Sequence, residues 1–96
     1  MELSDVFHVC KLRDEVVNLS FDDLAKETKG LVKLRIGDLL KQIPDGDTQK
    51  LQRPEGGYEW GCYALPTIPA VCYGRTKLDA VIRMWVLCKR LNVIHP

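Results

Sequence analysis

Apolar positions are densest between Thr76 and Leu91, TKLDAVIRMWVLCKRL, where Asp79, Arg83 and Arg90 mark a narrow polar stripe among ten apolar positions. A helix that is apolar around most of its circumference is buried around most of it. Thr76 followed three residues later by Asp79 has the spacing of a capping box, and Lys89 and Arg90 suit the negative end of the helix. The stretch is too short, and too interrupted by Asp79 and Arg83, to span a bilayer. The pattern predicts a core helix over about 77–91.

Nearer the N-terminus, Leu3, Val6, Phe7, Cys10, Val16 and Val17 recur at helical spacing, predicting a helix from Ser4 to Val17. Ser20 then precedes Asp22 and Asp23, an N-cap with acids in the first turn, and Gly30 is placed to end a short helix over about 21–29. From Leu31 two patterns overlap. Val32, Ile36, Leu39, Leu40 and Ile43 share one helical face, while Val32, Leu34 and Ile36 alternate with Lys33 and Arg35 as in an edge strand. The helical reading of 32–43 accounts for more positions; Gly37 counts against it, since an interior glycine weakens a helix by about 1 kcal/mol. Residues 44–57, PDGDTQKLQRPEGG, have the composition of an exposed loop. Tyr58, Trp60, Cys62 and Ala64 then alternate with Glu59, Gly61 and Tyr63, the period of a half-buried strand. A second strand is expected over about 70–74 after a turn spanning Pro66 to Pro69, and a turn centred near Thr67 sets Cys62 opposite Cys72. Residues 92–96 are placed to add a short third strand. The fold class that follows is α+β: N-terminal helices, a small antiparallel sheet with its hairpin over about 58–74, and the long C-terminal helix packed on that sheet.

Composition narrows the class further. A chain of 96 residues, 46% hydrophobic, is one small domain with a modest core. The net charge of +1 is uneven: residues 1–50 carry 8 Lys or Arg against 10 Asp or Glu, and residues 51–96 carry 6 against 3. Neither half is basic enough to announce nucleic acid. The opening MELSDVFHVC lacks a charged leader followed by an apolar run, so a cytoplasmic location is expected, without membrane insertion. There the four cysteines are expected as reduced thiols, although their even number leaves a disulfide open.

Four chemistries have candidate residues in the chain. Residues 20–43 resemble a helix-turn-helix, with Ala25 at the crossing and Gly30 at the turn, five residues later where the motif usually has four. On that reading Lys29, Lys33, Arg35 and Lys41 would meet phosphates, against the repulsion of Asp22, Asp23, Glu27 and Asp38. Metal binding by Cys10, Cys62, Cys72, Cys88, His8 and His95 lacks the closely paired ligands that zinc sites use. Neither His8 with Cys10, His95 with Cys72, nor Glu55 with Glu59 carries a catalytic signature, and Gly56-Gly57 lacks the lysine and helix of a phosphate loop. No cofactor and no catalysis are therefore expected. The fourth chemistry is a partner-binding surface built from Tyr58, Trp60, Tyr63 and Tyr73 on the sheet, rimmed by Arg53, Arg75 and Glu59, residue types that anchor protein interfaces. Two arrangements stay open: a two-layer fold that exposes one aromatic face, or a three-layer sandwich in which the N-terminal helices bury it. A homodimer would use the same surface.

The run YEWGCYALPTIPAVCYGRTKLDAVIRMWVLCKRLNVIHP, with a strand, turn, strand and Thr-capped helix, resembles small bacteriophage proteins of the α/β sandwich kind such as the NinX-like group. The resemblance implies a compact accessory protein of a phage or other mobile element, without a cofactor, that binds and inhibits a host protein such as a component of host defence.

Overall fold

The structure is a computed structural model, and it describes residues 3–28, 35–65 and 67–94. Its elements run α1 (Leu3–Val17), α2 (Phe21–Glu27), α3 (Ile36–Gln42), β1 (Asp47–Gln52), β2 (Tyr58–Ala64), β3 (Ile68–Gly74) and α4 (Lys77–Arg90). The three strands form an antiparallel meander in the order β1-β2-β3, and α4 packs across all three. The chain is an α+β fold with its C-terminal helix on the sheet.

α4 begins where the sequence places it. The Thr76 hydroxyl accepts from the Asp79 N–H at 3.1 Å, and Asp79 reaches back to the Arg75 N–H at 3.2 Å, one residue beyond the usual capping-box partner. It ends in a left-handed turn. Asn92, at φ +57°, donates to the Lys89 carbonyl and Val93 to the Cys88 carbonyl, so residues 92–94 close the helix and form no strand.

The polar stripe on α4 is not a solvated face. Asp79 and Arg83 are each only 8% exposed and pair at 2.8 Å. Arg83 Nη1 then donates to three carbonyls at the end of α1 and just past it, Val16 at 2.9 Å and Val17 and Leu19 at 3.0 Å. α1 has no basic residue in its own last turn; the guanidinium of α4 supplies the positive charge that its C-terminus favours. The same device recurs at α2, where Lys89 Nζ donates to the Glu27 carbonyl at 2.9 Å and Arg90 pairs with the Glu27 carboxylate at 2.7 Å.

The middle of the sheet's helix side presents small side chains, Cys62 and Ala64 from β2 and Ala70 and Cys72 from β3, all buried, with Ile68 buried at the start of β3. Gly74 ends that row, and a Cβ there would stand 2.5 Å from the Ala80 backbone nitrogen, so only glycine admits the first turn of α4. The space is filled from the helices by Val81, Met84, Leu87 and Cys88 of α4, with Val9 and Val16 of α1 and Leu39 of α3. Cys62 and Cys72 are cross-strand partners, as the expected turn position required, and all four thiols are free.

Three further stretches differ from the pattern of their side chains. Residues 47–52, read as loop, are strand β1: Thr48 pairs with Cys62 and Lys50 with Trp60, so backbone pairing and not side-chain pattern makes the strand. The hairpin that joins it to β2 turns at Gly56 and Gly57, both at positive φ. The second strand begins at Ile68, which puts Pro69 inside an edge strand beside a register shift at Tyr63/Ala64, where a missing N–H is tolerated. The helix expected over 32–43 runs from Ile36 to Gln42, with residues 29–34 outside the described part of the chain. Gly37 therefore lies in a first turn, and a Cβ there meets nothing within 4 Å.

Two stability measurements check this account. Arg83→Leu leaves Asp79 buried without its cation and three carbonyls without their donor; urea denaturation is expected to give a loss of about 3–5 kcal/mol, a large part of what a domain of this size has. Gly37→Ala is expected to raise stability by about 0.5–1 kcal/mol, because the helical backbone suits alanine and the space is open.

Candidate interaction surface

Alternation along the strands divides the sheet residues into two sets. Tyr58 and Trp60 share the helix side with Cys62 and Ala64, whereas Glu59, Gly61 and Tyr63 point the other way with Leu51 of β1 and Val71 and Tyr73 of β3. The four aromatics proposed as one surface are thus split between two. Trp60 is half-buried against the core with Lys77 over its ring at 5.7 Å, and Tyr58, 60% exposed, carries Lys50 at 4.5 Å.

No described helix covers the opposite side. α1 packs on β3 and α4 and does not extend across β2, and Arg13 donates to the Val71 carbonyl at 3.1 Å on the edge strand. Of the two arrangements left open, the described residues form the two-layer one. On the open face Leu51, Tyr63, Val71 and Tyr73 remain partly exposed around Gly61. A Cβ on Gly61 would come within 3.2 Å of Val71 Cγ1 and 3.4 Å of Leu51 Cδ1, so these side chains lean over the glycine and join into one apolar patch. At one end the Tyr63 hydroxyl donates to Asp47 across the strands at 3.2 Å, a bond that lifts its pKa above the ordinary phenol value.

At the other end the patch runs into a cleft of about 460 Å³ between the β1–β2 hairpin, the end of β3, the start of α4 and the α1–α2 turn. Tyr73, Arg53, Arg75 and Glu59, four of the seven residues named for this surface from sequence, meet there with Asp79 and Arg83. Arg53 pairs with Glu59 at 2.9 Å. The chain matches no family model, no curated protein and no solved structure.

The helix-turn-helix residues are not brought together in this way. α2 and α3 each pack on α4 and not substantially on each other, Arg35 just before α3 and Lys41 within it are exposed, and Lys29 and Lys33 lie outside the described residues. His8 and Cys10 stand two apart on α1, a spacing that points side chains away from each other; His8 is exposed, and His95 is outside the described residues. Glu55 is exposed on the hairpin loop, apart from the Arg53–Glu59 pair. Among the described residues no group of three His, Cys, Asp or Glu is arranged to hold a metal ion, and no helix is long and apolar enough to cross a membrane.

Burial raises the thiols of Cys62, Cys72 and Cys88 from the ordinary 9.0 to about 12, with repulsion from Cys88 and Asp47 adding at Cys62 and from Cys62 and Cys88 at Cys72. Such thiols stay protonated and are poor nucleophiles. A group whose pKa is raised on folding stabilises the fold below its unfolded pKa and loses that contribution as pH climbs toward the folded value. Stability is accordingly expected to hold up to about pH 8.5 and to fall from pH 9 toward 12, measured by denaturation across that range. At pH 8 a thiol reagent is expected to label Cys10 in the native protein and the other three only on unfolding.

Proposed function

We propose that this chain is a non-catalytic accessory protein that works by binding another protein through the open face of its sheet. The observation that carries the reading is the uncovered patch of Leu51, Tyr63, Val71 and Tyr73, continuous with the arginine-lined cleft. A sheet face holding two tyrosines and two aliphatic side chains, with arginines at its edge, has the composition of an interface core with a polar rim. The raised pKa of the three buried thiols further favours binding over thiol catalysis.

The resemblance of the strand–turn–strand–capped-helix run to small phage proteins supports a narrower form of the proposal. In that form the chain belongs to a phage or other mobile element and acts in the host cytoplasm, where it occludes a host protein, a defence component being the expected target. A second copy of the chain is the other occupant this face fits, as a homodimer paired across its two-fold axis.

The test is affinity capture of the tagged protein from bacterial lysate, with and without nuclease, comparing the native chain with Leu51→Lys. A near-stoichiometric protein that survives nuclease and falls at least about tenfold with Leu51→Lys, roughly the weight of one interface anchor, is the expected outcome. Capture unaffected by Leu51→Lys removes the open face as the docking surface. Recovery of nucleic acid whose digestion strips everything else replaces the proposal with DNA binding through Arg35 and Lys41.

A further inference from the structure

The cleft at the end of the open face has an unbalanced charge. Five charged side chains line it, Arg53, Arg75, Arg83, Glu59 and Asp79. Both acids are already engaged: Glu59 by Arg53 at 2.9 Å, and Asp79 by Arg83 at 2.8 Å and by the Arg75 N–H at 3.2 Å. Arg75, exposed, makes no ion pair with any described residue, so its guanidinium is the charge in excess. The same cleft is lined by Tyr73 and Ser20, each with a hydroxyl, and by the apolar residues Val17 and Leu19. The Ser20 oxygen accepts from Asp23 and keeps its own proton to donate.

Donors without a matching acceptor, beside an apolar wall, suit a ligand with one carboxylate and an aliphatic body. We infer that the cleft receives an acidic side chain, glutamate or aspartate, of the bound protein partner, with Arg75 as its cation. This rests on the protein-binding reading and names what the partner presents to one end of the surface. A planar guanidinium can grip both oxygens of a carboxylate, and the Arg53–Glu59 and Arg83–Asp79 pairs hold the other walls in position without competing for it. The volume, about 460 Å³, is more than one side chain fills and leaves room for the neighbouring residue on the apolar wall.

The cleft is tested alone, with no partner, by following backbone amide NMR shifts of the isotope-labelled full chain during titration with the peptide acetyl-ALELA-amide. Saturable shifts at Leu19, Gly74, Arg75 and Asp79 are expected. They should weaken by about tenfold with acetyl-ALQLA-amide, and again with Arg75→Gln, the effect of one charge-assisted hydrogen bond. Arg75→Gln removes no side-chain bond among the described residues, and an unchanged remainder of the spectrum verifies its fold. Three results would overturn the inference: no saturable shift by about 10 mM peptide, equal shifts from the glutamine peptide, or equal shifts from inorganic phosphate, which would make the cleft an unselective anion site. Because Leu51 does not line the cleft, capture that responds to Leu51→Lys beside a silent titration removes the cleft alone and leaves the open face standing.

Discussion

The Arg83 guanidinium holds this fold together. A buried cation is unfavourable by several kcal/mol unless its donors find acceptors, and here they find one carboxylate and three backbone carbonyls. Those carbonyls belong to the last turn of α1 and the residues just beyond it, where a helix leaves its C=O groups without internal partners. Two shortages thus cancel in one place. The consequence is positional: the end of α1 and the turn into α2 are tied to the first half of α4, which sets one wall of the cleft. Lys89 repeats the arrangement at the end of α2, so α4 terminates both N-terminal helices.

A second constraint acts on the sheet. Small residues on the helix side allow α4 to approach closely, most severely at Gly74, where any side chain would strike the helix backbone. Bulk on that side comes from the helices, from Ile68 and, toward the β1–β2 hairpin, from Trp60. On the opposite side Leu51, Tyr63, Val71 and Tyr73 have no covering helix among the described residues. Burying one side of the sheet and leaving the other uncovered leaves an apolar patch that folding alone does not use. That asymmetry is the physical basis for treating the open face as an interaction surface.

Much of this architecture was legible in the residues. Thr76, Asp79 and the apolar run behind them specified α4, and Ser20 specified the start of α2, because caps and periodicity are local. The pairing of Cys62 with Cys72 followed from one turn. β1 was not legible, since five of its six side chains are polar and only Leu51 marks a face. Its hydrogen bonds come from β2, which no local pattern in 47–52 records. The candidate surface was half legible: Arg53, Arg75 and Tyr73 do meet, whereas Tyr58 and Trp60 lie on the other side of the sheet from Tyr63 and Tyr73.

The sequence by itself determined the elements whose signals lie within a turn or two of chain: four helices in order, the hairpin of β2 and β3, and the burial of most of α4. Tertiary structure decided the rest, because it depends on groups brought together from far apart. Asp79 and Arg83 are only a narrow polar stripe in the sequence until the carbonyls of Val16, Val17 and Leu19 are set against Arg83, more than sixty residues away. Arg75 reads as one surface cation among many until the engagement of Glu59 and Asp79 by other partners leaves it unmatched. Local patterns specify which backbone forms; the pairing of charge and the coverage of a face are properties of the assembled chain.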